Sequence, residues 1–529
     1  MNRFEQRKQD ILQNIARQAS MKPLLPSGFW FHDDIRHNFY YASYLFAAAV
    51  QGLRLPGGKE EAMKTSEAVL LKVLALQDKQ PVSSTYGHWP LNLGEQPEAA
   101  SPHILPAEIM GCLLGVFYKK YRDDMSDSLR SAAYEALVHL HQSRYYEEGL
   151  RRYNHHEAKH TAAGIIYGTI LGDKELLKNS HRRVQATLYQ LQTYSMTEYG
   201  ILPWFWHWVQ AFEAAWEITG DQAVKENIEG LLEWLWQERA AYYLRGAWAG
   251  PHSRSLPLDA PSDMNIAFDY AQFGDFELPE ELPKAEFAAL LDYEIPEELR
   301  MSISERIYPL ELTRLYPASI EELDVKLQCY LYMTEQYAVG GILERRKEFD
   351  NEQHRWDITL PVRHDSINQA FFLHPAEGRS GSDPRHSSDA EDIFVQQNAV
   401  IALYKPNEGN QQGIVGVLPL GNWHAEGNSL YGQVDNVFFA VHLMKPFTFL
   451  KKSDRYVVEA EEGDANGVVV EAVSLIEAAN EGIDSLSSFM EASRKRSPVF
   501  NETELSAEYE SFLGHSLCFT HRSAQEIHL

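Results

Sequence analysis

Cysteine is almost absent. Three residues, Cys112, Cys329 and Cys518, lie far apart in a chain of 529, without a C-x-x-C pair. This excludes a disulfide framework and a thiolate zinc site, and it fits a reducing compartment. Positive charge is also scarce: 48 Lys and Arg against 75 Asp and Glu give a net charge of −27. Such a balance argues against a nucleic-acid-binding surface and against attraction to anionic membranes. No stretch approaches the ~20 consecutive apolar residues of a membrane span. The opening MNRFEQRKQDILQNIARQASMKP reads as a charged amphipathic helix, because a secretory leader needs a continuous apolar run followed by small residues. The expectation is a cytoplasmic protein with neither nucleic acid nor membrane as partner and with a homo-oligomer left open. No motif calls for a cofactor or a metal.

Apolar residues are plentiful, and their spacing changes along the chain. Up to about residue 320 they recur at helical intervals. The clearest blocks are NFYYASYLFAAAVQGL (38–53), AEIMGCLLGVFYKKY (107–121), LRSAAYEALVHLHQSR (129–144), HTAAGIIYGTILGD (160–173), HWVQAFEAAWEITGD (207–221) and VKENIEGLLEWLWQERAAYYL (224–244). Two of them end alike, ILGD and ITGD, where glycine predicts a helix stop with a left-handed backbone. Paired helices with short returns predict an (α/α) toroid, incomplete or of six hairpins. After about residue 340 short β-branched or aromatic runs take over, among them RWDITLPV, DIFVQQNAVIALYK, GIVGVLPL and GVVVEAVSL, bounded by Gly, Asn, Asp and Pro. That texture predicts an antiparallel β-sandwich interrupted by one helix at 483–496. The passage falls near YMTEQYAVGG, so the expected domains are a toroid at 1–335 and a sandwich at 336–529.

Polar residues that fit no apolar stripe gather at helix entrances. RRYNHHEAKHTAAGI places Tyr153, Asn154, His155 and His156 just before a clean helix. Asn154 suits a helix cap as well as a substrate contact. His156 and His160 share a helix face, but no glutamate stands as in H-E-x-x-H and no third metal ligand is evident. TEYGILPWFWHWVQAF sets Tyr199, Trp204, Trp206 and His207 around a Gly-Ile-Leu-Pro turn, either as packing or as a wall for stacking sugar rings. The long loop at 86–108 offers His88 and Trp89, and loops of that length are functional or disordered. GAWAGPHSRS adds His252 and Arg254, a pair able to bind a carboxylate and move a proton. In the strand-rich half, GNWHAEGNSLYGQVDN presents His424.

With these residues in hand, the chain resembles polysaccharide lyases built from an α/α toroid and an antiparallel β-sandwich, of the heparinase II/III-like and alginate lyase-like kinds. Asn154-His155 followed some fifty residues later by Gly200-Ile201-Leu202-Pro203 is similar to the alginate-type arrangement, and YMTEQYAVGG with EQHRWDIT is similar to the heparinase-like passage between domains. The resemblance implies cleavage of a uronate-containing polysaccharide or oligosaccharide by β-elimination. Asn154, with Arg254, would neutralise the uronate carboxylate, and His155 or Tyr199 would remove the C5 proton. His252 belongs to the same catalytic set; Tyr153, His156, His88, Trp89, Trp204, Trp206, His207 and His424 would bind substrate. The later helix departs from the alginate pattern, with Trp206, His207 and Trp208 where a tyrosine and an arginine are expected. Two other readings stay open at this point. One is a glycoside hydrolase with a carboxylate acid/base pair acting on unsaturated uronate oligosaccharides; the other is a glycan-binding protein without activity.

Overall fold

The computed structural model describes residues 3–200, 202–253, 266–282, 286–345, 354–375, 388–407, 409 and 412–522. The chain forms two compact units. The first comprises Met1–Thr193, Leu202–Glu238 and Met264–Ser302; the second comprises Tyr194–Ile201, Arg239–Asp263 and Ile303–Leu529.

The first unit is helical: α1 (Arg3–Met21), α2 (Ile35–Val50), α3 (Gly58–Ala75), α4 (Ile104–Tyr121), α5 (Asp127–Ser143), α6 (His155–Leu171), α7 (Lys174–Tyr194), α8 (Leu202–Ile218), α9 (Gln222–Ala241) and α10 (Ile266–Gln272). Even-numbered helices from α2 to α8 are the apolar ones, and they pack on one another, α2 on α4 and α4 and α6 on α8. Odd-numbered helices such as α1, α3 and α5 bury one stripe and expose the rest, as outer members of an incomplete (α/α) toroid must. Of the two glycine stops, Gly172 ends α6 with φ +74°, in the left-handed region; Gly220 does not adopt it. Asp34 caps α2 by accepting from the Arg36 amide at 2.9 Å, and its carboxylate pairs with the Arg36 guanidinium at 2.6 Å.

Small residues bring the helices around α6 close together. A side chain at Gly111 of α4 would run into the Tyr167 hydroxyl, and one at Gly164 of α6 would run into Ser180 Oγ of α7. Gly164→Ala is therefore expected to cost about 1–3 kcal/mol of stability through overpacking, read from the denaturant midpoint. An unchanged midpoint would show that α7 yields freely.

The second unit is an antiparallel sandwich. Among the described residues one sheet has six strands in the order Glu391–Gln396, Ala399–Tyr404, Asn466–Ser474, Val437–Leu443, Ser429–Val434, Asn422–Glu426. The other has eight, in the order Phe447–Lys451, Arg455–Ala460, Val415–Pro419, Gln369–Leu373, Trp356–Thr359, Ala338–Ile342, Lys326–Met333, Leu310–Pro317. Val339, Ile358 and Phe372 of the larger sheet meet Val400, Phe439, Val441 and Val470 of the smaller in one core. The run GVVVEAVS lacks polar alternation because both its faces are covered. Val468, Val470 and Ala472 point into the sandwich, whereas Val469 lies under a three-stranded sheet and Val473 under the helix Leu486–Arg494. The first strand of the sandwich sheets is Leu310–Pro317, ahead of the 335/336 passage read from the sequence. LELTRLYP and KLQCYLYM pair with each other from Leu310↔Met333 to Pro317↔Lys326, and Leu327, Cys329 and Leu331 alternate inward with period two. Among the described residues no helix is long and apolar enough to cross a membrane.

His442, on a central strand, is buried; its Nδ1 meets Ser429 Oγ at 2.8 Å while Nε2 has no hydrogen-bond partner. Burial pushes its pKa down from 6.5 to about 4. Below pH 6.5 the unfolded chain takes up a proton that the folded unit refuses, so the stability tied to this neutral imidazole is present above 6.5 and is lost as pH falls toward 4. Relative to a His442→Gln variant, the wild type is expected to lose about 3 kcal/mol across that interval. Parallel stability curves for the two proteins would contradict this.

Candidate active site

The site is built where α4 and α6 begin. Asn154 caps α6, its side-chain oxygen accepting from the Glu157 amide at 3.1 Å. The cap sets the entrance, and the next turn carries His156, Lys159 and His160 into contact with α4. Facing them on α4 is Glu108, 5% exposed. His156 Nδ1 lies 2.8 Å from Glu108 Oε2, Lys159 Nζ lies 2.5 Å from the same oxygen, and His160 Nε2 lies 3.5 Å from Oε1. Burial opposes ionisation of this carboxyl, but the hydrogen bonds from His156 and His160 and the charge of Lys159 hold it well below the usual carboxylate range. In the neutral ring a carboxylate so placed accepts a hydrogen bond from the Nδ1–H of His156, and the lone pair falls on Nε2.

Glu108, His156 and His160 line a cavity of about 850 Å³ in the helical unit, together with His88, Tyr145, Arg151, Arg152, Asn154 and Glu157. His88 arrives from the loop at 86–108, which is held by a short ladder pairing Trp89 with His103 and Pro90 with Pro102. Its ring packs edge-on against Tyr145 at 5.3 Å, and Tyr145 packs in turn against His160 at 5.5 Å. Burial pushes the His88 pKa down, which favours a neutral imidazole. Arg151 and Arg152 are exposed at the rim, and among the described residues neither guanidinium has an ion-pair partner.

The sequence-derived candidates divide between the units. Asn154, His156 and His88 meet at the cavity, and Tyr153 stands next to Asn154 with φ +48°. His155 is 2% exposed and turned inward, its ring 4.0 Å from that of His156, 5.8 Å from Trp204 and 5.9 Å from His207. Consecutive residues on a helix point about 100° apart, so only one of the two histidines faces the cavity, and it is His156. His207 is pushed well below its ordinary pKa by burial and by the nearby Lys159 and His155. Trp204 is half-buried. Trp89 and Trp206 are corrections: both are fully buried, Trp89 donating to the Val73 carbonyl at 2.9 Å and Trp206 stacking on Phe268 at 5.1 Å, so neither presents a face to a sugar.

Tyr199 and His252 belong to the strand unit and lie close together there. The Tyr199 carbonyl accepts from the Ser253 amide at 2.9 Å, and its ring packs on Tyr316 at 4.7 Å. His252 is 6% exposed. Its Nδ1 contacts the Gly200 carbonyl, and its Nε2 lies 3.2 Å from Asp357 Oδ2 and 3.3 Å from Gln369 Nε2. Burial pushes the Asp357 carboxyl up against the opposing hydrogen bonds of His252, Thr359 and Gly250. With both ring nitrogens occupied, His252 bolts its loop to the strand Trp356–Thr359. His424 lies on an edge strand, largely exposed and 3.9 Å from Glu426. Arg254 lies outside the described residues.

Glu108, Arg151 and Arg152 carry the electrostatics of the cavity and were not singled out by sequence reasoning. Glu108 left a signal, a lone carboxylate in the apolar run AEIMGCLLG, which demands a buried partner. Among the described residues no group of three or more His, Cys, Asp or Glu is arranged to hold a metal ion.

No protein-family model matches the chain, and no curated protein matches it. Among solved structures it is similar to a heparinase III gene product, at 11% sequence identity, with 98% of this chain and 90% of that chain covered and a TM-score of 0.40.

Proposed function

We propose that the cavity at the start of α6 is the active site of a lyase that cleaves a uronate-containing polysaccharide or oligosaccharide by β-elimination. The observation that carries this reading is the pairing, in one cavity, of a His156–Glu108 dyad with Arg151 and Arg152, which have no ion-pair partner among the described residues, and with Asn154. Elimination needs a carboxylate neutralised and a weakly acidic C5 proton removed. Arg151, Arg152 and Asn154 meet the first need. His156 meets the second: Nε2 takes the C5 proton, the C5–H electron pair forms the C4–C5 double bond, and the C4–O bond breaks with its electrons on the leaving oxygen. In a syn elimination the imidazolium then returns that proton to the same oxygen, so one side chain serves as base and acid. His155, stacked behind His156, steadies the ring.

Hydrolysis fits less well. It requires a protonated carboxylic acid opposite an ionised one, and Glu108 moves in the wrong direction for the acid. Glu157 is committed to the backbone, accepting from the amides of Arg151, Arg152 and Tyr153. Incubation with a panel of uronate-containing glycans tests the proposal: the ultraviolet absorbance of a conjugated C4–C5 double bond is expected to rise with new reducing ends. New reducing ends without that absorbance would overturn it in favour of hydrolysis.

A further inference from the structure

Glu157 has an arrangement the proposed reaction does not use directly. Its carboxylate receives three successive backbone amides: Arg151 N at 3.0 and 3.1 Å, Arg152 N at 3.1 Å to both oxygens, and Tyr153 N at 2.8 Å. Its own amide donates to the Asn154 side chain. Successive amides converging on one anion form a concave nest of the kind that binds free anions elsewhere; here a side chain of the same chain fills it. The nest closes the turn that leads into α6, and within that turn Tyr153 is held at φ +48°, a backbone that non-glycine residues adopt only when their surroundings enforce it. Two of the three residues whose amides form the nest, Arg151 and Arg152, also line the cavity.

From this geometry we infer that Glu157 is a positioning residue for anionic substrate: it fixes the 151–153 turn so that Arg151 and Arg152 are held at the cavity rim. The inference rests on the lyase reading for the identity of the anion. A carboxylate is suited to the task because it offers two acceptor oxygens to three donors, whereas an amide would turn one of its two ends into a donor facing other donors. Loosening the turn spreads the guanidiniums over many orientations and weakens capture of charge. It leaves the His156–Glu108 dyad, set by α4 and the next turn of α6, in place.

The test compares Glu157→Gln, Arg151→Gln/Arg152→Gln and the triple combination. Calorimetric binding of hexuronate oligosaccharides is measured beside KM and kcat. Glu157→Gln is expected to weaken binding and raise KM by about 10-fold, the size of one or two lost charge-assisted contacts, with kcat held within about twofold. The triple variant is expected to be no worse than the double arginine variant, because residues acting through one another are not additive. Additive losses, or an equal fall in kcat, would overturn the positioning role. Should Glu157→Gln fail to fold, Glu157→Asp, which keeps the charge but shortens the reach, serves in its place with the same expectations. If the wild type binds no hexuronate oligosaccharide, the lyase reading falls and this inference falls with it. If the wild type binds and Glu157→Gln binds equally well, the positioning role alone is overturned.

Discussion

Replacing His156 with alanine is expected to reduce elimination by about 10²–10⁴-fold, the range for loss of a positioned general base. His156 lines the cavity beside His88 and His160, and Glu108 Oε2 lies 2.8 Å from its Nδ1. Glu108 keeps Lys159 and His160 as partners when that ring is removed, so the fold should survive and the loss should appear in kcat. His155→Ala is the matched comparison. His155 is buried among His156, Trp204 and His207, so its removal creates a void and should act mainly on stability. Kinetics on purified variants with matched circular dichroism separate the two. A His156→Ala enzyme retaining more than about a third of wild-type kcat/KM would remove the residue from the chemistry.

The largest effect on stability is expected at Glu108. Glu108→Ala leaves the Lys159 ammonium, 3% exposed, without its 2.5 Å counter-charge and in contact with a new void. Breaking one half of a buried ion pair costs about 3–5 kcal/mol, well above the cost of removing a surface charge. The paired replacement Glu108→Leu/Lys159→Met removes both charges at similar volume and should recover most of that loss, while leaving His156 without the partner that sets its tautomer. Urea denaturation of the three proteins reads the stabilities, and the pH profile of the double variant reads the dyad. If Glu108→Ala loses less than about 1 kcal/mol, the Glu108–Lys159–His156 group is not the electrostatic centre of the helical unit.

The inner helices were legible because they are apolar on every side; AEIMGCLLGVFYKKY and HTAAGIIYGTILGD admit little but a buried helix. RWDITLPV, DIFVQQNAVIALYK, GIVGVLPL and GVVVEAVSL were legible as strands through their β-branched and aromatic residues, whereas GNWHAEGNSLYGQVDN read as a polar loop and holds the strands Asn422–Glu426 and Ser429–Val434. Two earlier strands, Leu310–Pro317 and Lys326–Met333, were not legible either. The segment between Pro317 and Lys326, ASIEELDV, has the acidic and leucine content of a helix, and it masks the period-two alternation of KLQCYLYM. At the site, Asn154 and the histidine pair stood out because polar side chains interrupt an apolar pattern. Which histidine faces the cavity depends on the rotation of α6, which only packing against α4 and α8 determines. Trp89 and Trp206 lie near polar loops in sequence, but their indoles turn into the core, an outcome composition cannot separate from a stacking platform. Arg151 and Arg152 read as ordinary loop charges until the Glu157 nest fixes where they stand.

The central claim, that the His156 cavity breaks a glycosidic bond without water, is tested most directly by digesting a uronate-containing glycan in oxygen-18-labelled water and weighing the products. Elimination moves a proton and an electron pair within substrate and enzyme, so the account predicts fragments with no label fixed at the cleaved bond, one of them unsaturated. Label incorporated at the cleaved bond, beyond the slow exchange of a reducing end in an enzyme-free control, would identify hydrolysis and contradict it.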